Sequence, residues 1–420
     1  MAPAGHRQLR QLWYVPLLGL AMSLMLARAL ALAAVLDVPE FAKFSGGLLV
    51  SATFSMLGCF GVQVLLQREW PVAIVRGREL RGLVLAAQCQ WIALLVAVIG
   101  ASAAALGAGA PGVEPSWLAL GVLHGWAHQA FLVASIESRS RGDMIRYARA
   151  NLIRALLVLG LSVVVAAVTG SAAFAFLLDA LLTMAVAAQQ MHKAFALVGR
   201  RGRTSALIAW RGLRRIPWPV AFQLAAVMAL SFLVSNADRW VASARLAAAP
   251  FAAYAFAWTV LSLGQALQSL VNASVFPMLA RRYGESGVGE SFAICWRISL
   301  ATLLAGAIAA VPLGWALDHA ISRWYPQYVE SLIVLPIFLA MAVLRLADFW
   351  SSFLMIAGKE SALLLVQLLA ALAATVGWVV MQRSESLGLG GMQAIAWLGL
   401  ALTLGSQLAV ALTAWRWRLP

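Results

Sequence analysis

Residues 150–191 read ANLIRALLVLGLSVVVAAVTGSAAFAFLLDALLTMAVAAQQM: two apolar runs parted at Thr169-Gly170, with Arg154 and Asp179 as the charged residues. Neither run alternates polar with apolar, so a barrel strand is excluded. Each is close to the roughly 20 residues that cross a hydrocarbon core of about 30 Å as a helix. The rest of the chain repeats the pattern. Of 420 residues, 63% are hydrophobic and 11% charged, against about 25% charged in soluble domains. Backbone polar groups have no water partner inside lipid, so continuous apolar runs cross it as helices. Spans are predicted at about 13–36, 44–67, 83–107, 117–137, 150–168, 171–191, 217–244, 251–280, 291–316, 329–356, 361–382 and 392–415. The expected fold class is an all-α integral membrane protein of about 12 transmembrane helices, with no soluble domain of any size.

A net charge of +15 suggests nucleic acid in a soluble chain. Here the basic residues sit in short loops between apolar runs, where they act as topology signals, and no nucleic-acid partner is expected. With the N-terminus cytoplasmic, 22 of the 31 Lys/Arg fall inside, from Arg7 and Arg10 to Arg416 and Arg418. Lys43, Arg245, Arg323 and Arg383 fall outside, and five lie within spans. That bias places both termini on the cytoplasmic side. The first run is too long for a cleavable signal peptide and lacks a small-residue cleavage site. Cys59, Cys89 and Cys295 lie in or beside apolar runs and read as small core residues.

The longest hydrophilic stretch, 192–216, holds seven Lys/Arg and no acid, at the chain midpoint. It suggests a six-helix lobe over 1–200, a basic cytoplasmic linker over 201–216 and a second six-helix lobe over 217–420. Residues 203–215 either lie as a short basic amphipathic helix on the anionic inner leaflet or form a solvated linker. A shift of 210 residues brings the first hairpin onto the seventh and eighth spans, in keeping with a 6+6 pseudo-repeat.

The seventh and eighth spans read Ser235-Asn236-Ala237-Asp238-Arg239-Trp240, then Phe251-Ala252-Ala253-Tyr254, then Phe276-Pro277-Met278-Leu279-Ala280-Arg281-Arg282. This text resembles the polysaccharide-transporter branch of the multidrug/oligosaccharidyl-lipid/polysaccharide superfamily. There an Asp-Arg pair ends the seventh helix, a small-x-x-Tyr opens the eighth, and Pro-x-Leu-Ala/Ser-Arg closes it. Ala357-Gly358-Lys359 and the first hairpin are also similar, although Ala42 and Phe44 depart from the usual Phe-Gly-x-Tyr. The resemblance covers the chain in length and span count and is specific over about 80 residues. It implies a V-shaped, MATE-like architecture in the bacterial inner membrane, moving an undecaprenyl-diphosphate-linked glycan to the outer leaflet. The implied partners are membrane lipid, the polyprenyl-diphosphate-linked glycan and other polysaccharide assembly proteins.

Ionisable residues at a helix centre cost about 2.5–3.5 kcal/mol on insertion scales, so each is a candidate for function. Arg28 in the first span and Asp238 in the seventh coincide under the 210-residue shift, with Arg239 alongside. They form either a functional pair, from which Arg28 switches to a substrate phosphate, or a static ion pair. Arg345 and Asp348, at i and i+3 in the tenth span, are expected to neutralise each other. Arg154 and Arg297 lie near cytoplasmic span ends, and either snorkel or capture a diphosphate with the planar guanidinium fork. Asp179 has no obvious local partner: it pairs with an arginine of a neighbouring helix or stays protonated, and is a possible coupling site. His124 and His128, one turn apart around Trp126, read as core or cavity-lining histidines because no third metal ligand accompanies them. Trp70, Trp117, Trp218, Trp324 and Trp415 are expected as interfacial anchors, while Trp126 and Trp258 are placed to stack on sugars.

Three functions fit. The first is a lipid-linked oligosaccharide flippase. The second is a cation-coupled exporter of the same superfamily, disfavoured for organic cations because the first helix carries Arg28 where such exporters commonly carry an acid. The third is a membrane glycosyltransferase or polymerase using Asp37 and Glu40, disfavoured by short outside loops. No Gly-rich nucleotide loop follows a strand, so no ATP-driven pump is predicted. The chain reads as a transporter and not an enzyme, with no cofactor and no metal.

Overall fold

The computed structural model describes residues 13–199, 204, 207–383 and 389–418. Among them there is no strand, only an isolated bridge between Ala110 and Val113. The chain divides into two compact units between Ala229 and Leu230, so the division falls inside a helix. Of the expected linker, the described part packs on the first unit. Arg7, Arg10, Arg200, Arg201 and Arg203 lie outside the described residues.

The first unit contains α1 (Tyr14–Val35), α2 (Val38–Leu57), α3 (Val62–Val75), α4 (Glu79–Ala105), α5 (Pro115–Ser140), α6 (Met144–Thr169) and α7 (Ala172–Val198). A 3₁₀ turn (Ala209–Arg215) and the start of α8 (Trp218–Arg245) follow. Local chemistry sets the ends. Asp37 Oδ1 accepts from the Glu40 backbone N–H at 2.9 Å, and Pro39 fits the opening turn of α2. Asp143 caps α6 in the same way at 3.1 Å, and α6 stops at Gly170, whose φ is +65°. Glu40 also accepts from Lys43 Nζ and from the Ala172 backbone N–H, each at 2.9 Å. Asp37 and Glu40, weighed above as an acid–base pair, are therefore engaged in closing helix ends.

The expected second span, 44–67, is not one straight helix. α2 and α3 meet at 51° across residues 58–61, where Phe60 and Gly61 take positive φ of 45° and 77°. A Cβ on Gly61 would lie 2.0 Å from Ala221 O and 2.7 Å from Ala225 N. The opening of α8 is seated directly on the break and covers its backbone. The core beside it holds Trp70, Leu66, Cys59, Cys89, Leu83, Val133 and Ile136. Cys59, Cys89 and, in the second unit, Cys295 are buried free thiols, as expected. Trp70 and Trp117, expected at the membrane interface, are core residues 1% and 6% exposed. Trp324 and Trp415 are exposed.

The second unit holds the rest of α8, α9 (Ala248–Trp324), a 3₁₀ turn (Pro326–Ile333), α10 (Leu335–Leu346), α11 (Trp350–Ile356), α12 (Glu360–Arg383) and α13 (Leu389–Arg416). α9 is two arms, 248–286 and 288–324, parted by Gly287 at φ 82° and ψ −169°; they carry the expected eighth and ninth spans. The expected tenth span is also broken: backbone at 347–349 is not helical, and α10 and α11 flank it. A core of Phe292, Phe349, Phe353, Leu354, Leu279 and Val410 packs around this region.

Among the described residues, ten helices are long and apolar enough to cross a membrane, and eleven spans result when α2 and α3 are joined. The 248–286 arm covers the predicted eighth span. Side chains such as Ile308, Val311 and Trp315 are about three-quarters exposed, a state that suits hydrocarbon and penalises water. The chain is a multi-pass, all-α membrane protein.

Gly61 generates a prediction. G61A introduces both a left-handed φ penalty and a steric conflict with α8, whereas G142A, at φ 73° with open space around its Cβ, introduces the φ penalty alone. That penalty is about 1–2 kcal/mol. Thermal unfolding in detergent is expected to show G61A clearly less stable than G142A.

Candidate functional site

The charges buried in the first unit converge from separate helices. α1 supplies Arg28, α2 Ser51, α5 His124 and His128, α6 Arg154, and α7 Asp179 and Thr183. Gly125 makes the convergence possible: a Cβ there would lie 2.7 Å from Phe54 Cβ and 2.9 Å from Ser51 O. α5 thus approaches α2 closely enough for Ser51 Oγ to reach His124 Nδ1 at 2.7 Å. Arg28 NH2 lies 2.5 Å from Asp179 Oδ2, and His124 Nε2 lies 3.0 Å from the same oxygen. Thr183 Oγ1 donates to Asp179 Oδ1 at 3.2 Å. The arginine and histidine contacts are close in distance but off the hydrogen-bonding angle, which leaves Arg28 Nε and NH2 as donors without aligned acceptors. Arg28 and Asp179 are 4% and 1% exposed. Ser51 Oγ and His124 Nδ1 share one hydrogen bond, whose direction follows the tautomer of the ring.

Within the first unit Arg28 meets Asp179, a partner that the 210-residue shift did not indicate; Asp238, which the shift set against Arg28, belongs to the second unit. The shift tracks position along the helix and says nothing of which face a residue occupies. Asp179 accordingly resolves to the first of its two readings, a partner for an arginine of a neighbouring helix.

Arg154 is buried and does not snorkel. Its NH1 lies 3.3 Å from His128 Nδ1, and its guanidinium carbon sits 4.7 Å from the Phe131 ring centroid. Arginine only donates, so His128 Nδ1 is the acceptor and the ring proton resides on Nε2. Arg154 Nε is buried without a hydrogen-bond partner. Among the described residues, Arg154 makes no ion pair. Arg297, in contrast, is exposed on its helix and stands outside both buried clusters.

In the second unit, Asp238 and Arg239 are neighbours on α8 and so point about 100° apart; they engage different groups. Tyr254 Oη donates to Asp238 Oδ2 at 2.7 Å, while the Arg239 guanidinium stacks 3.6 Å over Trp258 and NH1 donates to Asn236 Oδ1 at 3.4 Å. Tyr254 and Trp258 are i and i+4 on α9 and share a face, which is why one helix receives both. Trp258 thus holds an arginine, whereas the sequence placed it against sugar.

The expected Arg345–Asp348 pair does not form, because α10 ends at Leu346 and the i, i+3 geometry is lost. Arg345 NH2 donates to Ser235 O at 3.0 Å and to Thr403 Oγ1 at 3.4 Å. The Asp348 carboxylate accepts from Ser351 Oγ at 3.4 Å, and Gln268 Nε2 donates to its carbonyl at 3.1 Å.

A third cluster closes one end of the first unit. Glu137, 1% exposed, is shared by Arg141 and Arg146, the latter at 3.1 Å. Arg141 also forks onto Glu79 at 2.9 and 3.2 Å. The bond to Glu79, opposed by partial burial and reinforced by Glu137, raises the Arg141 pKa above its ordinary value. Among the described residues, no group of three or more His, Cys, Asp or Glu is arranged to hold a metal.

At the level of sequence, no family model and no curated protein matches. Solved structures do match in fold. A mutant of the Vibrio cholerae MATE transporter VcmN aligns at TM-score 0.61 and 16% identity, over 97% of this chain and 95% of that one. An outward-facing multidrug resistance MATE family transporter of the MOP superfamily aligns at 0.61 and 15%, over 96% and 94%. The eukaryotic MATE transporter AtDTX14 aligns at 0.56 and 12%, over 97% and 95%. The fold is the two-lobed, twelve-helix MATE plan.

Removing one partner of a buried ion pair strands the other, at about 3–5 kcal/mol. R28Q and D179N are each expected to lower thermal stability in detergent sharply, and the R28Q/D179N double variant to recover most of the loss. A double variant no better than the sum of the singles would show that the two side chains are not coupled.

Proposed function

We propose that this chain is a bacterial inner-membrane flippase that carries a polyprenyl-diphosphate-linked oligosaccharide from the cytoplasmic to the outer leaflet by alternating access. One observation carries the proposal. Three arginines, Arg28, Arg154 and Arg239, are buried in spanning helices beside three acids, Asp179, Asp238 and Glu137, the last taken up by Arg141 and Arg146. Only Arg28 meets a carboxylate. Arg154 and Arg239 rest on aromatic faces, and Arg154 keeps an unused Nε–H donor. Such arginines are costly in lipid, yet they suit a passing diphosphate, which accepts paired N–H bonds from a guanidinium edge. The glycan and diphosphate cannot cross hydrocarbon unaided, while the polyprenyl tail can remain in it.

The resemblance of the α8 and α9 sequences supports the same cargo: the Asp238 and Tyr254 of that motif bond to each other. On this reading each unit offers its own arginines to the anionic head, Arg154 in the first and Arg239 and Arg345 in the second, and Asp179 sets the charge of Arg28. Both termini are cytoplasmic, and other polysaccharide assembly proteins are the expected partners.

The competing reading is a cation-coupled exporter, since the structural neighbours include a multidrug transporter and the MATE transporter ClbM with Rb+. Arg28 alone no longer argues against it, because Asp179 neutralises that charge. Arg154 takes over the argument, as a buried cation with no carboxylate.

Purified protein in proteoliposomes is expected to flip a fluorescent polyprenyl-diphosphate oligosaccharide. R154Q and R239Q should each lower the rate at least tenfold, while R323Q, at the far end of α9, stays near wild type. Proton- or sodium-driven export of a cationic dye without movement of the glycolipid would transfer the protein to the competing class. For orientation, a reporter inserted at Gly142 should report cytoplasm and one at Gly109 the outside.

A further inference from the structure

The corner between α3 and α4 carries charge that neither the buried clusters nor the proposed transport path uses. Arg68, Arg76, Arg78 and Arg81 surround a concave basin of about 270 Å³, with Glu69 as its one acid. Arg81 NH2 engages Glu69 at 3.0 Å. Among the described residues, Arg68, Arg76 and Arg78 make no ion pair, and all four arginines are exposed. Topology alone asks for arginines near this end of the helices. It does not ask them to close around one hollow.

The basin does not end blindly. Glu69 and Arg81 also line a second cavity of about 530 Å³, walled by Leu65, Leu80, Val84, Leu85, Ile216 and Pro217. Leu80 to Gln88 is eight residue steps along α4, so this groove follows the helix for about 12 Å into the apolar zone. Its far wall is the stretch after the 3₁₀ turn Ala209–Arg215. That turn is held on α4 by Gln88 Nε2 donating to Ala209 O at 3.3 Å, and it adds Arg215 to the rim. A cationic basin that opens into an apolar slot has the two-part chemistry of one ligand, a phosphate ester with a hydrocarbon chain.

From this geometry we infer that the α3–α4 corner and the 3₁₀ turn form a binding site for an anionic phospholipid of the bilayer. The phosphate lies among Arg68, Arg76, Arg78 and Arg81, and one acyl chain lies in the groove between α4 and Ile216-Pro217. Guanidinium groups bind phosphate oxygens in pairs, and net positive charge selects anionic over zwitterionic headgroups. The bound lipid bridges α3, α4 and the segment that leads into α8. The inference is independent of the cargo.

The full chain, delipidated in a neutral detergent, is titrated with phosphatidylglycerol, with phosphatidylcholine of the same acyl chains, with undecaprenyl diphosphate and with inorganic phosphate. Native mass spectrometry reads the bound mass, and thermal unfolding reads the effect. Phosphatidylglycerol is expected to bind saturably and raise Tm by several degrees, phosphatidylcholine to bind at least tenfold more weakly, and phosphate alone to give no shift. R76Q/R78Q should weaken phosphatidylglycerol at least tenfold while leaving the lipid-free Tm unchanged, and V84W should weaken it by filling the groove. Should V84W fail to fold, R76Q/R78Q still decides. Equal binding of phosphatidylcholine, full affinity in R76Q/R78Q, or a phosphate shift that matches the lipid's would each overturn the inference. So would a tenfold preference for undecaprenyl diphosphate, which would make the corner a cargo site.

Discussion

A charge inside hydrocarbon must find its compensation within the protein, and much of the first unit is arranged around that demand. Arg28 and Asp179 meet at 2.5 Å because α1, α5 and α7 are drawn together at one level, and α5 comes close to α2 where Gly121 and Gly125 lack side chains. His124 and Ser51 then complete the polar contacts around the shared carboxylate. If Asp179 were apolar, Arg28 would have to leave the bundle or lose its proton, and neither suits arginine.

The same demand explains where irregular backbone is tolerated. Unpaired amide groups at membrane depth need protein cover. At residues 58–61 the cover is the opening of α8, whose Ala221 carbonyl would lie within 2.0 Å of a Gly61 Cβ. At 347–349 it is Gln268, bonded to the Asp348 carbonyl, and the aromatic core around Phe349 and Phe353. Breaks of this kind also redirect side chains: Arg345 is freed from Asp348 and turns to Ser235 and Thr403.

Hydropathy made the span count legible, since lipid leaves apolar runs one solution. The buried cysteines were legible for the same reason, while Asp179 stood between a partner arginine and a protonated state. Pairing was not. Arg28 aligns with Asp238 in sequence register, yet a register carries no information on rotation about the helix axis, and Asp179 lies on the face that Arg28 meets. The i, i+3 spacing of Arg345 and Asp348 presumed a continuous helix, and no proline or glycine at 346–349 warned of the break. Trp70 and Trp117 looked like interfacial anchors by position along the chain, but Gly82 and Gly47 offer them hollows in the core. Gln268 and Ser51 gave no signal at all, because a single polar residue in a long helix has no pattern to read.

The buried arginines are held by two different means, and the difference bears on how a carrier of anions would work. An arginine in contact with a buried carboxylate is already neutralised, so an incoming phosphate must first displace the acid and leave it stranded. An arginine lying on an aromatic face keeps its full charge, and the cation–π contact, about 0.5–2 kcal/mol, need not be given up when the guanidinium edge meets a phosphate. Arg239 on Trp258 and Arg154 on Phe131 are of this second kind, while Arg28 on Asp179 is of the first. On the proposed reading, Arg28 fixes the architecture of the first unit, and Arg154 and Arg239 bear the exchange of partners that transport requires.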